Sequence, residues 1–367
     1  MTAEDVIKET IKHNGGSIKI SDFITIALYH PKYGYYQTKN PFGVGGDFVT
    51  SPQISSIFSE IFGLFFGYQY KKHFTSSQKL HFIELGAGNG FFMRDALTAT
   101  SKIQGFNSDV AVHVVEVSDF LIAEQKKNLA QFTDSVDITW YKDLTACLDV
   151  IDDDEENVIF VFANEFFDAF PINQYVKNDN ELHEIVVSEI NDKLGFVQIP
   201  CEIGNIEQYL QISGFTFADI PENGIIELSK PSLVAYSEIC AKLTKNQGCF
   251  VAIDYGYTEN KFVSTLQALK KHESVNVFDH IAAADITYLV NFDILSKISK
   301  TYTLTTYPVV TQGEFLKSVG IVERTKIAIE KESDEAKKYM IDQATTRLIS
   351  PNQMGDLFKV LIVENFE

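Results

Sequence analysis

The chain is poor in arginine, cysteine and tryptophan, and it has no long apolar run. Only three of its 31 basic residues are arginine (Arg94, Arg324 and Arg347), against 50 Asp and Glu, which leaves a formal charge of −19 over 367 residues. An excess of this sign repels phosphate backbones and anionic headgroups, so nucleic acid is not expected as a partner and cationic or neutral substrates are favoured. The acidic start, Met1 to Asp5, and the late first arginine run against both a secretory signal and an arginine-rich transit peptide, so a bacterial cytoplasmic protein is expected. Cys147, Cys201, Cys240 and Cys249 form no Cys-x-x-Cys pair and have no histidine at zinc-finger spacing, which argues for packing roles and against a disulfide framework or a metal site. The most apolar stretch, Ile61 to Tyr68, is eight residues long and contains two glycines. A membrane span needs roughly 18 such residues, so no membrane insertion is expected.

What is present is the composition of a globular protein, with 45% hydrophobic and 22% charged residues. Short apolar runs at Leu80 to Leu85, Val110 to Val117, Val158 to Ala163 and Cys249 to Ile253 each end in a polar or glycine turn, as strands buried on both faces do. Phe91 to Thr98, Phe120 to Phe132 and Ser232 to Leu243 carry apolar residues at helical spacing between them. The alternation predicts an α/β fold with a doubly wound, Rossmann-like sheet and a ligand at the carboxyl ends of its strands. Leu182 to Glu189, Leu194 to Ile199 and Gly224 to Leu228, with turns at Asn180-Glu181 and Asn191-Asp192, predict an inserted antiparallel β element at about 173–230. The expected division is an N-terminal extension, 1–75, and a main domain, 76–367, with breaks at the acidic run Asp152 to Glu156 and near 190–224. Ser333 to Ile349 reads as a helix and Asp356 to Glu364 as a closing strand.

Three groups of residues carry chemistry. Glu84, Gly86, Ala87, Gly88 and Gly90 form a strand end running into Gly-x-Gly-x-Gly. A dinucleotide fingerprint would need glycine at 91, where Phe91 stands. The pattern resembles the first motif of class I S-adenosylmethionine methyltransferases, a likeness that implies S-adenosyl-L-methionine as cofactor, with Glu84 close to its ammonium end. Glu116, ending the next strand, supplies a carboxylate for two ribose hydroxyls, and Asp143 stands where such enzymes place a residue near adenine. In the third group, Asn164, Glu165 and Asp168 crowd one strand end with Phe166, Phe167 and Phe170. Aromatic walls around carboxylates suit a cationic substrate, although a capped turn with phenylalanines in the core has the same composition.

Ordered motifs over nearly the whole chain resemble the MidA family. They include His30 to Tyr36, Gly46 to Ser55, the glycine loop, Asn164 to Pro171, Ile253 to Gly256, Thr265 to Ala268, Thr311 to Leu316 and Met354 to Lys359. The chain departs from the family pattern at Gln53, where Glu is usual, and at Leu289 and Asn291, where His and Asp are usual. The resemblance implies a class I methyltransferase that modifies arginine on a protein of respiratory complex I type. It makes Glu165 and Asp168 catalytic, with Asn164 beside them and Asp254 and Tyr255 in support, and it makes Asp47, Thr50 and Ser51 a lid over the cofactor. Asp254 serves equally well as a turn cap, and Asp47, Thr50 and Ser51 as helix N-caps. The alternatives are a small-molecule N- or O-methyltransferase and a cofactor-binding assembly scaffold. A homodimer is left open.

Overall fold

A computed structural model describes residues 1–38, 49–74, 78–154, 156–259, 261–271 and 273–366. The chain divides into two compact units, one of Val49–Phe166, Ser237–Gly256 and Ser299–Glu367, the other of Met1–Phe48, Phe167–Tyr236 and Tyr257–Ile298.

The first unit is built on β1 (Lys79–Leu85), β2 (Val110–Val115), β3 (Asp137–Tyr141), β4 (Asn157–Asn164), β5 (Gln247–Tyr257), β6 (Thr305–Thr306), β7 (Val310–Thr311) and β8 (Phe358–Asn365). Strands β5, β4, β1, β2 and β3 lie side by side and parallel; β8 joins β5 antiparallel, with β6 and β7 paired to β8. The apolar runs of the sequence are these strands, and β4 is buried along Asn157 to Ala163. Sequence order runs outward in both directions from β1 and β4. The crevice between their carboxyl ends is therefore the topological switch point, where open α/β sheets bind ligands. Its helices include α1 (Ser51–Ile54), α2 (Ser56–His73), α3 (Phe91–Thr100), α4 (Asp119–Leu129), α5 (Leu144–Asp149), α6 (Gln312–Ser318), α7 (Ile321–Lys331) and α8 (Glu335–Ile349). The core holds Phe58, Phe62, Phe66, Phe82, Phe92, Phe160 and Phe162. Phe92 stacks on Phe162 with ring centroids 3.6 Å apart, which fixes α3, and the loop before it, onto the face of β4.

In the acidic run Asp153 pairs with Lys242 and Lys245, both at 2.6 Å, and Asp154 accepts from the Asn157 backbone N–H at 3.1 Å, which ties these two residues beside the start of β4.

The second unit carries the expected antiparallel element, with one strand the sequence did not announce. Glu181–Ile190 pairs with Asn173–Asn178 and Lys193–Pro200, Asn173–Asn178 pairs with Ile225–Leu228, and the three-residue strand Ser17–Lys19 pairs with Val186 to Ser188. Part of the N-terminal extension is thus integral to the insertion's sheet. The first hairpin turn is Asp179-Asn180 rather than Asn180-Glu181, because those two residues take positive φ of 50° and 59° and the register pairs Asn178 with Glu181. Asn191-Asp192 is the second turn, as expected. A smaller sheet joins Gln267–Lys270 to Glu273–Val275 and Asp285–Thr287. Ile7, Phe23, Leu28, Tyr35, Ile172, Val187 and Ile286 are among the core residues of this second unit.

Candidate active site

Strand β1 ends at Leu85 and the backbone turns through Gly86, Gly88 and Gly90, whose φ values of 64°, 52° and 77° lie in the left-handed region that a side chain makes costly. At Gly86 a Cβ would lie 3.0 Å from the Phe166 ring, so the ring closes over bare backbone. The loop is tied to the neighbouring strand ends. Gly86 N–H donates to Val115 O at 2.9 Å, and Gln125 Nε2 on α4 donates to Gly88 O at 2.8 Å and to Glu116 Oε2 at 3.2 Å. Trp140 Nε1, a donor only, gives its hydrogen to Gln125 Oε1 at 3.0 Å and so sets which way that amide points. Gln125 was not singled out from sequence, and nothing short-range marks it, since its loop partner is 37 residues away.

Two carboxylates are buried here. Glu116 is 7% exposed and its Oε1 accepts from Ser118 N–H at 2.9 Å; burial pushes its pKa up, while the Ser118 and Gln125 hydrogen bonds oppose the shift. Glu84 is 3% exposed, and burial first, the Glu116 charge second, raise its pKa well above the ordinary carboxyl value against one Met93 backbone hydrogen bond. Its Oε2 has no hydrogen-bond partner among the described residues. A buried carboxyl oxygen without a partner beside a second acid is a place for a cationic group. The ammonium end of S-adenosyl-L-methionine has the charge that fits such a place.

At the end of β4, Glu165 takes a φ of 52°, rare outside glycine, asparagine and aspartate. Its N–H donates to Ile253 O at 2.9 Å, and its Oε1 accepts from Ser51 N–H at 3.2 Å and from Asn164 Nδ2 at 3.1 Å. Asp254 is wholly buried and its Oδ1 accepts from Tyr255 N–H at 2.9 Å, while the Tyr255 ring packs on Phe358. Thr50 precedes α1, where its N–H donates to Gln53 Oε1 at 3.3 Å. Gln does there what Glu does in a capping box, which gives the Gln53 departure a physical reading. Asp143 is exposed and caps α5, its Oδ1 accepting from Ala146 N–H at 2.8 Å. Asp47 lies outside the described residues.

Asp168 belongs to the other unit, where it is buried and its charge raises the Tyr36 phenol pKa behind burial, Asp285 and Tyr29. Phe167 is buried in that unit, and Phe170 stacks on it. Phe166 packs on the glycine loop at Gly86. Asn291 caps the helix Phe292–Thr301, accepting from Ile294 N–H at 3.2 Å, and Leu289 N–H donates to Thr265 Oγ1 at 2.9 Å.

The strand order, the glycine loop at the switch point and the acid ending the next strand define a class I methyltransferase fold. A Burkholderia thailandensis protein solved with S-adenosyl-homocysteine bound shares that fold over 99% of this chain and 92% of its own, with a TM-score of 0.81 at 23% identity. A native structure of a Burkholderia thailandensis protein covers 99% of this chain and 91% of its own, with a TM-score of 0.78 at 23% identity. Residues 65–310 match the family described as "Putative S-adenosyl-L-methionine-dependent methyltransferase". The chain belongs to this family, and its cofactor is S-adenosyl-L-methionine. Its relatives include the mitochondrial protein arginine methyltransferase NDUFAF7 of Xenopus tropicalis, 30% identical over 95% of this chain and 82% of that protein. The Bos taurus protein of the same name is 27% identical over 94% of this chain and 80% of its own.

Proposed function

We propose that this chain is a protein arginine N-methyltransferase acting on a protein of respiratory-chain type. The relatives' names point to arginine on a protein, and the motif resemblance points to the respiratory chain; a cytoplasmic setting belongs to the same proposal. The observation that carries the reading is the Glu165 carboxylate. It stands at the carboxyl end of β4 on a left-handed backbone, with Ser51 N–H and Asn164 Nδ2 both on Oε1. Strain of this kind, about 1–3 kcal/mol, persists where the surrounding structure enforces it, and it clusters at functional sites.

In this reading Glu84 holds the cofactor's ammonium, Gly86, Ala87, Gly88 and Gly90 hold its methionine part, and Glu116 takes the ribose hydroxyls. Asp143 is assigned the adenine edge, and Asp47, Thr50 and Ser51 belong to the lid segment. The bound cofactor supplies a sulfonium methyl group. Glu165 binds the acceptor guanidinium, localises its charge and receives the proton released as nitrogen gains the methyl, because a guanidinium holds its proton above a pKa of about 12 and is otherwise a poor nucleophile. Asn164 orients Glu165, and Asp254 with Tyr255 supports the adjoining strand end. Asp168, three residues on in the same motif, is assigned to substrate orientation from sequence.

The test is transfer of labelled methyl to cell extract, with hydrolysis to identify the methylated amino acid. Wild type should yield methylarginine in protein. Glu165→Gln should keep cofactor affinity and lose transfer by about a hundredfold or more. Label in small molecules alone would replace the protein reading, and full turnover in Glu165→Gln would remove the residue from the chemistry.

A further inference from the structure

Gln312 opens α6 and is wholly buried. The first turn of that helix needs nothing from it, because Thr311 and Glu314 close a capping box, with Thr311 N–H donating to Glu314 Oε2 at 3.0 Å and Glu314 N–H to Thr311 Oγ1 at 3.2 Å. The amide instead reaches out in two directions. Its Nε2 donates to Leu348 O at 2.9 Å, in the last turn of α8, and its Oε1 accepts from Ser51 Oγ at 3.4 Å. The next residue lets the helix start press against α8: a Cβ on Gly313 would lie 2.7 Å from Ile349 O, too close for any side chain. Gln312 is therefore fixed at one end to a packed helix terminus. Ser51, itself fully buried, hands the connection on through its backbone N–H to Glu165 Oε1 at 3.2 Å.

We propose that Gln312 is a positioning residue for methyl transfer, acting through Ser51 to hold the Glu165 carboxylate in its working orientation. The chain α8, Gln312, Ser51, Glu165 lies within one unit and joins residues 261 positions apart in sequence. A buried amide costs free energy unless both its ends are bonded, and here the second bond is spent on the hydroxyl of the residue that contacts the acid. The Ser51 hydroxyl, on this account, is an anchor for its own backbone N–H and does not touch the cofactor. The proposal rests on the role given to Glu165, and it extends to any acceptor whose methylation needs that carboxylate.

Ser51→Ala removes the tether with little change in volume, and Gln312→Met keeps length while removing both hydrogen bonds. Each is measured on the full chain for turnover with the extract fraction that wild type methylates, for S-adenosyl-L-methionine affinity by calorimetry, and for thermal stability. Turnover should fall about tenfold or more in each, as for a misplaced catalytic group, with cofactor affinity within about twofold of wild type. Added to Glu165→Gln, either change should cost no further turnover. If Gln312→Met folds poorly because Leu348 O loses its donor, Ser51→Ala carries the test alone. Additive losses in the Glu165→Gln background would overturn the positioning role, as would a tenfold weaker cofactor affinity in Ser51→Ala. Wild-type turnover in Ser51→Ala and Gln312→Met beside an inactive Glu165→Gln refutes the positioning alone, whereas an active Glu165→Gln refutes the role of the acid itself.

Discussion

At the scale of single residues, Glu84 couples stability to binding. Its pKa in the folded chain stands well above the 4.5 of an ordinary glutamate, through burial and then the Glu116 charge. The folded state therefore holds its proton more tightly than the unfolded state does. That contribution to stability is complete below pH 4.5 and is lost as pH rises through the folded value, so near neutrality the carboxyl weakens the cofactor-free protein relative to a neutral side chain. Glu84→Gln should accordingly raise the melting temperature of the cofactor-free protein at pH 8 more than at pH 5. The same variant should bind S-adenosyl-L-methionine about ten- to a hundredfold more weakly, the range for a lost charged hydrogen bond of about 1.5–3 kcal/mol. An ammonium arriving beside Glu84 lowers its pKa and expels its proton. The wild-type binding enthalpy should thus change with the ionisation enthalpy of the buffer, and that of Glu84→Gln should not. Wild-type affinity in the variant would move the cofactor's cationic end elsewhere.

Among the elements, β1 and β2 carry a histidine pair whose tautomers the hydrogen bonds assign. Asn157 Nδ2 donates to Asp154 Oδ1 at 2.6 Å, so Asn157 Oδ1 must accept from His81 Nε2 at 2.9 Å; His81 Nδ1 then accepts from His113 Nε2 at 2.9 Å. His113 Nδ1 is left buried with no partner among the described residues. Burial lowers both pKa values, that of His113 to about 4, with His81 as its second cause; Lys79 and Lys242 lower His81 further while Asn157 and Asp152 oppose them. A histidine neutral in the fold and charged when unfolded gives stability that is full above about pH 6.5 and lost as pH falls toward 4. At pH 5 the loss from His113 is about 2 kcal/mol, and denaturant unfolding of His113→Val should show a flatter fall between pH 7 and 5 than wild type. Equal slopes would place the acid sensitivity in other groups. The elements also show what sequence could announce. Core strands were legible because strands buried on both faces are mostly apolar, and the glycine loop because its chemistry is contiguous. Ser17–Lys19 is too short to carry a period, and Gln125 and Gln312 act across 37 and 261 residues, where local pattern says nothing. Asp143 and Thr50 show the converse limit, for an acid or hydroxyl before a helix reads alike as cap and as ligand.

For the molecule as a whole, a charge of −19 makes the surface field attractive to a basic acceptor and repulsive to an acidic one. Of its own three arginines, Arg94 is paired with Asp95 at 2.7 Å and Arg324 with Glu60 at 2.6 Å, while Arg347 is exposed. For a separate acceptor chain, salt should separate encounter from chemistry. The screening length is about 10 Å at 0.1 M ionic strength and about 3 Å at 1 M, so attraction between separated charges fades over that interval while short hydrogen bonds to a buried carboxylate persist. With a peptide carrying one arginine among lysines, raising ionic strength from 0.05 to 0.5 M should increase KM several-fold and leave kcat within about twofold. A peptide of the same length with its lysines replaced by serine should show little change in KM. If both peptides respond alike, or if kcat falls with salt while KM stays constant, the acceptor is not gathered by the field of the whole molecule, and recognition lies in contacts made at the arginine alone.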